Sequence, residues 1–582
     1  MDVSPDKQNI ESLFSNKTYY IDFYQRQYKW NEVPVHRLLD DIFYKFEIEY
    51  KTHSDKDIEL EQLIDKYSWY YLNTYVTNTI EGRLYIVDGQ QRLTTLTLIL
   101  IKLKNKANEY SSPIEDWISS KIVGLSGYKK EFWMNHEHHK ETMQGLFDNK
   151  SLNDIDTSSG ITAQNMVKNY TVISRWIEEK LNNIKKFEHF VFYFMKRLVL
   201  VNLNVEQTDV PMVFEVINDR GVKLKPYEIL KGKLLGQVSK EELEHNDLNT
   251  LWDKKVDVIN AYGEDEVDDF FMYYLRAKYV DKVSESKKID RKNYHRAIFD
   301  SPVDLMLSHN PSGVKEFLKF SFTYYANLYE KISGYYHEPN ADNIHIYYNG
   351  LNDMDHQFML IMSACKVNDP MEEEKIKKVS KEVDRLYTML QLQRSYDSND
   401  FNAAMYDISK SIRDEDDLSK ITQVFSDKLL ELLGKSRGSL VAKSFDYLYF
   451  KDAGNELNKR FKRYFFARIE QFIADETRMN MKHSLYDLVA NTGSVNGFHI
   501  EHILSYNNEN LALFNNDEET FEYERNRLGA LLLLKGRDNI SSSNETYEQK
   551  LKSYANTLYW NETLREDTYK SKLDFTSMIR KY

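Results

Sequence analysis

The chain reads as an α+β protein that is predominantly α-helical, with small β-structures towards its two ends. Nine prolines and twenty glycines in 582 residues leave long stretches free of helix breakers. From about residue 240 to 450 the apolar residues recur at helical spacing almost throughout. Short alternating or β-branched runs fall in the first 205 residues and again at 498–503.

A chain of this length exceeds what one core serves, and about two to four domains are expected. Hydrophobic content of 41%, with 14% aromatic residues, excludes wholesale disorder. The net charge of −13 argues against a generally sticky nucleic-acid binder, yet leaves room for a local basic groove. Cys365 is the sole cysteine, which excludes an internal disulfide and a multi-cysteine zinc site and predicts a buried, inert thiol. The N-terminal Met-Asp-Val-Ser-Pro-Asp-Lys-Gln lacks the apolar core of a signal peptide, and no segment offers about 18 uncharged apolar residues. These features predict a soluble, cytoplasmic protein with no membrane partner.

Residues 8–15 predict a short helix, and 21–30 an extended, aromatic-rich segment carrying Tyr24, Gln25 and Arg26. A helix from Glu32 to Tyr50 follows, its apolar face drawn from Leu38, Leu39, Ile42 and Phe46. Charged residues 51–67 predict a surface excursion. Tyr70 to Asn78 predicts a strand, Glu81-Gly82 a hairpin turn, and Leu84 to Val87 the returning strand. Asp88-Gly89 then turns into a helix marked by Leu93, Leu96, Leu100 and Leu103. A strand, turn and helix in this order aim unpaired N–H groups and a positive dipole end at the loop, which favours an anion. Gln90, Gln91 and Arg92 add donors there, so a phosphate-bearing ligand is predicted; simple capping by Asp88 and Gly89 is the alternative.

Residues 110–165, polar and rich in Gly and Ser, predict a loop-bearing insertion in which His136, His138 and His139 are solvated. Residues 197–205 alternate as a strand. A helix ending near Asp219, capped by left-handed Gly221, and a new helix opening at Pro226 complete this half.

The Tyr24-Gln25-Arg26 segment, followed by the complete Asp88-Gly89-Gln90-Gln91-Arg92 pentapeptide, resembles the signature of a ParB-like nucleotide-binding domain family. That family forms the N-terminal half of GmrSD-type restriction proteins. The turn Asn218-Asp219-Arg220-Gly221 is similar to the family's Asn-x-Arg-Gly segment. The resemblance implies a domain over 1–235 that binds a nucleoside triphosphate (GTP, ATP or another) through Tyr24, Gln25, Arg26, Asp88 to Arg92, Asn218 and Arg220.

Residues 236–450 predict a helical connecting domain, as in Asp268 to Tyr279 and Val383 to Leu392, with acidic runs such as Glu372-Glu373-Glu374 on solvated faces. No repeat and no catalytic constellation is legible there. Residues 455–472 predict a basic amphipathic helix: Leu457, Phe461, Tyr464, Phe465, Arg468 and Ile469 on its core side, Lys459, Arg460, Lys462 and Arg463 available to a phosphate backbone.

Next comes Phe498-His499-Ile500-Glu501-His502-Ile503-Leu504. In an extended chain His499 and Glu501 share one face and His502 takes the other, so a carboxylate can hold a metal while a neutral imidazole faces a water. The zinc-peptidase reading fails because His499 and His502 stand three apart with the Glu misplaced. This region resembles the HNH, or His-Me, nuclease domain of the C-terminal half of GmrSD-type proteins, a ββα-metal fold expected here over 451–582. The resemblance implies His502 as general base, Glu501 and Asn539 as metal ligands, His499 as an accessory ligand, Asn544 near the metal and Lys550 near the scissile phosphate. The family's base-orienting Asn after the Gly of the second strand is replaced by Ala530, and Asn526 is the candidate stand-in.

Taken together, the resemblance implies a modification-dependent, type IV-like DNA endonuclease of phage defence that uses Mg²⁺ or Mn²⁺, acts on modified phage DNA, and could work as a homodimer to cut both strands. A nucleotide-switched sensor of modified DNA with an inactive nuclease, or an abortive-infection ribonuclease, are the alternatives.

Overall fold

In the computed structural model, residues 4–21, 27–54, 58–206, 225–301, 303–536, 538 and 547–565 are described. The chain packs as two units, one of residues 1–253 with 307–315, the other of 254–306 with 316–582. The described residues bear out the predominantly helical α+β class. No described helix is long and apolar enough to cross a membrane.

In the first unit the strands are β1 (Ser4–Asn9), β2 (Tyr19–Ile21), β3 (Tyr70–Ile80), β4 (Arg83–Asp88), β5 (Val123–Ser126), β6 (Lys129–Phe132), β7 (Met134–Asn135) and β8 (Leu198–Asn204). Six of them form one mixed sheet in the order β1-β8-β3-β4-β2-β7, and β5 pairs with β6 as a separate hairpin. The turn between β3 and β4 puts Glu81 and Gly82 at φ 50° and 77°, the positive values that a tight two-residue hairpin demands. β8 lies between antiparallel β1 and parallel β3, which buries Leu198 and Leu200.

Helix Gln90–Glu109 is the centre of this unit. The sequence marks one apolar face, but Thr94, Thr95, Thr97, Leu98, Ile99 and Ile101 are buried as well, so the helix is enclosed on nearly all sides. The threonine hydroxyls make this tolerable by bonding inside the fold: Thr95 and Thr97 donate to the carbonyls of Gln91 and Leu93 at 2.8 and 2.9 Å.

Residues 8–15 are not one helix; β1 runs to Asn9, and a single turn Ile10–Leu13 follows, capped by Asn9. Pro5 is tolerated because β1 is an edge strand. Nor is 110–165 a loop insertion. It contains helix Ile114–Ser120, the β5–β6 hairpin, helix Lys140–Phe147 and β7, which closes one edge of the main sheet beside β2. Strands of two to four residues are too short to leave a periodic signal. The helix end near Asp219 and its Gly221 cap lie outside the described residues, whereas Pro226 does open helix Pro226–Leu235.

In the second unit, helix His356–Ala364 is buried from Gln357 to its end, and Cys365 follows it with its thiol pushed up to about 12, chiefly by burial. Helix Lys459–Thr477 starts later and ends later than the sequence suggests, because the Asn458 side chain accepts from the Phe461 N–H and fixes its first turn. It packs against β9 (Phe498–His502) and β10 (Leu531–Lys535), an antiparallel pair. On its other side Tyr464 donates to the buried Asp384 carboxylate at 2.6 Å and Arg468 at 3.0 Å, while His345 bonds the same carboxylate at 2.8 Å. Three helices are thereby tied at one charge.

Burial pushes the Asp384 carboxyl up, but His345, Arg468 and Tyr464 together outweigh it and hold it below the ordinary range. A carboxyl lowered in the folded state adds stability that is complete above its unfolded value, about pH 4, and is lost as pH falls through the folded value. The urea midpoint of the wild-type chain is therefore expected to fall more steeply below pH 4 than that of Asp384→Asn, and equal slopes would show that the network adds no pH-linked stability.

Candidate active site

The β9–β10 hairpin sets Leu532 opposite Glu501 and Leu531 opposite His502. Alternation along β9 then separates the two functional side chains. Glu501 is 6% exposed and is paired with Lys550, which is 1% exposed and comes from helix Tyr547–Ser553. Lys550 also donates to the His502 carbonyl at 2.8 Å. Burial pushes the Glu501 carboxyl up, and the Lys550 ammonium opposes that rise.

His502 faces the C-terminal end of helix Glu518–Arg525. Its Nε2 lies 3.0 Å from Oδ1 of Asn526, the residue that caps this helix. The amide nitrogen of Asn526 donates to the Glu522 carbonyl at 2.8 Å and to the Glu522 carboxylate at 3.3 Å. With its N–H₂ committed to two acceptors, the amide must present oxygen to His502, so Nε2 carries the imidazole proton and Nδ1 keeps a free lone pair. Arg525 secures the far end, donating to the Glu522 carboxylate at 2.9 Å and to the Leu504 carbonyl at 3.2 Å.

Burial is the main influence holding the His502 imidazole below its ordinary value, and the positive charges of Arg525 and Lys462 push the same way; the Asn526 bond opposes them. A neutral imidazole next to cations is suited to take a proton from water beside an anionic phosphodiester. Ala530 contributes only its backbone near the strands, its carbonyl accepting from the Ile503 N–H at 3.0 Å. Glu522 and Arg525 were not singled out by the sequence. Their signal is the four-residue spacing of Glu522 and Asn526 on one helix, legible only once that helix is placed.

The remaining candidates divide. His499 Nε2 lies 3.3 Å from the Gly493 carbonyl. Among the four basic residues expected to meet DNA, Arg460 is engaged by the Leu351 carbonyl and Asp353, and Arg463 donates to the Val489 carbonyl at 2.8 Å. Lys459 is exposed, and Lys462 is half-buried with its charge felt at His502. Asn539 and Asn544 lie outside the described residues. Among the described residues no three His, Cys, Asp or Glu side chains gather to hold a metal ion, and the Glu501 carboxylate is already matched by Lys550. The described donors therefore do not by themselves fit a divalent cation.

In the first unit, Asp88 ends β4 and Gly89 turns at φ 98°. A Cβ at Gly89 would stand 2.7 Å from the Tyr75 Cβ, so both the backbone angle and the space call for glycine. The residues after it take different tasks. Gln91 accepts from the N–H groups of Lys29 and Trp30 at 2.8 and 3.1 Å and donates to the Gln27 carbonyl at 3.0 Å, binding the extended segment to the helix. Arg92 donates to the Thr74 carbonyl of β3 at 3.0 Å, and burial lowers its guanidinium against the pull of Asp88. Gln90 lines a cavity that Arg92 does not line. Tyr24, Gln25, Arg26, Asn218 and Arg220 lie outside the described residues.

Of the three histidines of 136–139, His138 is exposed and His139 half-buried, and it is His136 that overturns the solvated-loop expectation. His136 is 4% exposed, bonds Thr94 at 3.0 Å, and is pushed down to about 3 by burial with a contribution from His139. With His138 and His139 it lines the same cavity as Gln90.

Two family models match the chain. One, described as the GmrSD restriction endonuclease N-terminal domain, covers residues 10–235; the other, described as the GmrSD restriction endonuclease C-terminal domain, covers 446–578. The chain belongs to the GmrSD family. The GmrSD N-terminal match ends with helix Pro226–Leu235, and the GmrSD C-terminal match takes in helix Lys459–Thr477, both hairpin strands, Asn526 and Lys550. These are restriction-endonuclease domains, and their substrate is DNA. No curated protein matches the chain.

The buried Glu501–Lys550 pair makes a stability claim that is independent of activity. Removing one partner strands the other charge, so Lys550→Met is expected to cost about 3 kcal/mol in urea unfolding. Adding Glu501→Gln to that variant should restore most of the loss. No restoration would mean that Lys550 matters for packing and not for charge.

Proposed function

We propose that this GmrSD-family chain is a modification-dependent DNA endonuclease of phage defence, whose C-terminal domain hydrolyses phosphodiesters with His502 as general base. The observation that carries this reading is the Glu522–Asn526–His502 series, which leaves Nδ1 unprotonated and aimed away from its amide partner. In the proposed step Nδ1 takes a proton from a water as its oxygen attacks phosphorus, the P–O bond to the departing sugar oxygen breaks, and that oxygen takes up a proton from solvent; the charges of Lys462 and Arg525 favour the anionic substrate. Asn526 holds the tautomer and Glu522 holds Asn526. No step here passes through a metal ion, and Mg²⁺ or Mn²⁺ dependence is left to the assay.

The N-terminal domain is proposed to bind a nucleoside triphosphate, and through it to license cleavage when modified DNA is present. A ligand can do this only through different affinities for two states of the protein, and a difference of a few kcal/mol suffices.

The test is cleavage of glucosylated, hydroxymethylated, phosphorothioated and plain DNA, each with and without a panel of nucleoside triphosphates, in Mg²⁺, in Mn²⁺ and in EDTA. His502→Ala is expected to lower the single-turnover rate by roughly 100-fold or more, and Asn526→Ala by roughly tenfold with DNA affinity unchanged. Glu522→Met should slow the wild type by a few fold but add nothing in the Asn526→Ala background, since it acts through that amide. Cleavage undiminished in His502→Ala would reject this site.

A further inference from the structure

The first unit contains a cavity of about 610 Å³ beside the Gly89 turn. Gln90 lines it, is 5% exposed, and its Oε1 has no hydrogen-bond partner. Asn249 lines it too, and its buried Oδ1 is likewise unpartnered. Buried amide oxygens are seldom left unmatched, so two in one cavity call for a ligand that donates N–H or O–H groups.

The charge of the lining limits what that ligand can be. Glu137, Glu244, Asp247 and Asp253 contribute carboxylates, while no Lys or Arg occurs among the described lining residues. Lys231, which is not one of them, pairs with Asp253 at 2.7 Å. Such a lining repels a triphosphate and tolerates an uncharged group. Flat rings complete the chemistry: His136 and His139 stand 6.4 Å apart, and Tyr85 lies in the same wall. Burial lowers both imidazoles and so favours their neutral form, and a neutral ring can stack on a planar heterocycle. The volume falls in the range of small-molecule sites.

We propose that this cavity binds the base and sugar of a nucleoside, with the phosphates outside it. The assignment rests on the nucleotide-responsive reading of this unit for its choice of a nucleoside over other donor-bearing rings. Two sources share the chemistry, a free nucleoside triphosphate and a nucleotide turned out of DNA.

The experiment is calorimetric titration of the full chain with the four ribonucleosides, their triphosphates and inorganic tripolyphosphate, and a fluorescence titration with 2-aminopurine-containing DNA. Gln90→Met and Asn249→Leu remove the acceptors at similar size, with thermal unfolding checked for each. A nucleoside or its triphosphate should bind, tripolyphosphate should not displace it, and each variant should weaken binding about tenfold without changing the unfolding temperature. If DNA alone responds and both variants abolish the response, the cavity takes an extruded nucleotide; the inference stands and the free-triphosphate reading falls. If triphosphates bind equally well to both variants, or tripolyphosphate competes, the inference falls and triphosphate binding stands. If nothing binds, the cavity holds water only and both fall.

Discussion

The candidate site of the C-terminal domain depends on which way one amide faces. An asparagine can offer oxygen or N–H₂ to a neighbouring imidazole, and the choice decides which ring nitrogen remains basic. Here the choice is made by the helix that ends at Asn526, whose Glu522 carbonyl and carboxylate both take the amide protons. Arg525 then fixes the carboxylate, and Arg525 is itself anchored to the Leu504 carbonyl just beyond β9. The orientation of the imidazole is thus set by a helix terminus, not by position 530, where Ala530 ends a single turn just before β10.

Beneath that helix terminus, the site is held by buried charge. Lys550 satisfies Glu501 and the His502 carbonyl together, which fixes the end of β9 from the side opposite Asn526. Glu470, on helix Lys459–Thr477, accepts from the N–H groups of Tyr559 and Trp560 at 2.8 and 3.0 Å and so holds the segment after Lys550. The same helix carries Tyr464 and Arg468 to Asp384. It therefore links the helical body of this unit to the hairpin, and two of its basic side chains, Arg460 and Arg463, are used in that attachment.

How far the sequence could be read follows from the length scale of each signal. The hairpin at Glu81-Gly82, the strand into Asp88-Gly89 and the helix after it are written in adjacent residues, and they occur as expected. The fate of individual side chains in the pentapeptide is not. Gln91 and Arg92 find backbone carbonyls and N–H groups of distant segments, contacts that no local pattern encodes. His136 illustrates the same limit: in a polar stretch it reads as solvated, yet the two-residue strand Met134–Asn135 carries it into the interior. At the other end, the pairing of Asn526 with His502 was suggested by the absence of an Asn at 530, whereas Glu522 became visible only with the helix in place.

The most direct measurement is the ¹⁵N NMR spectrum of the full chain labelled at histidine, with His502 assigned by its substitution. At neutral pH the Nε2-protonated neutral tautomer is predicted, giving way to a mixture of tautomers in Asn526→Ala. A His502 ring that is protonated on Nδ1 alone, or cationic at neutral pH, would contradict the account.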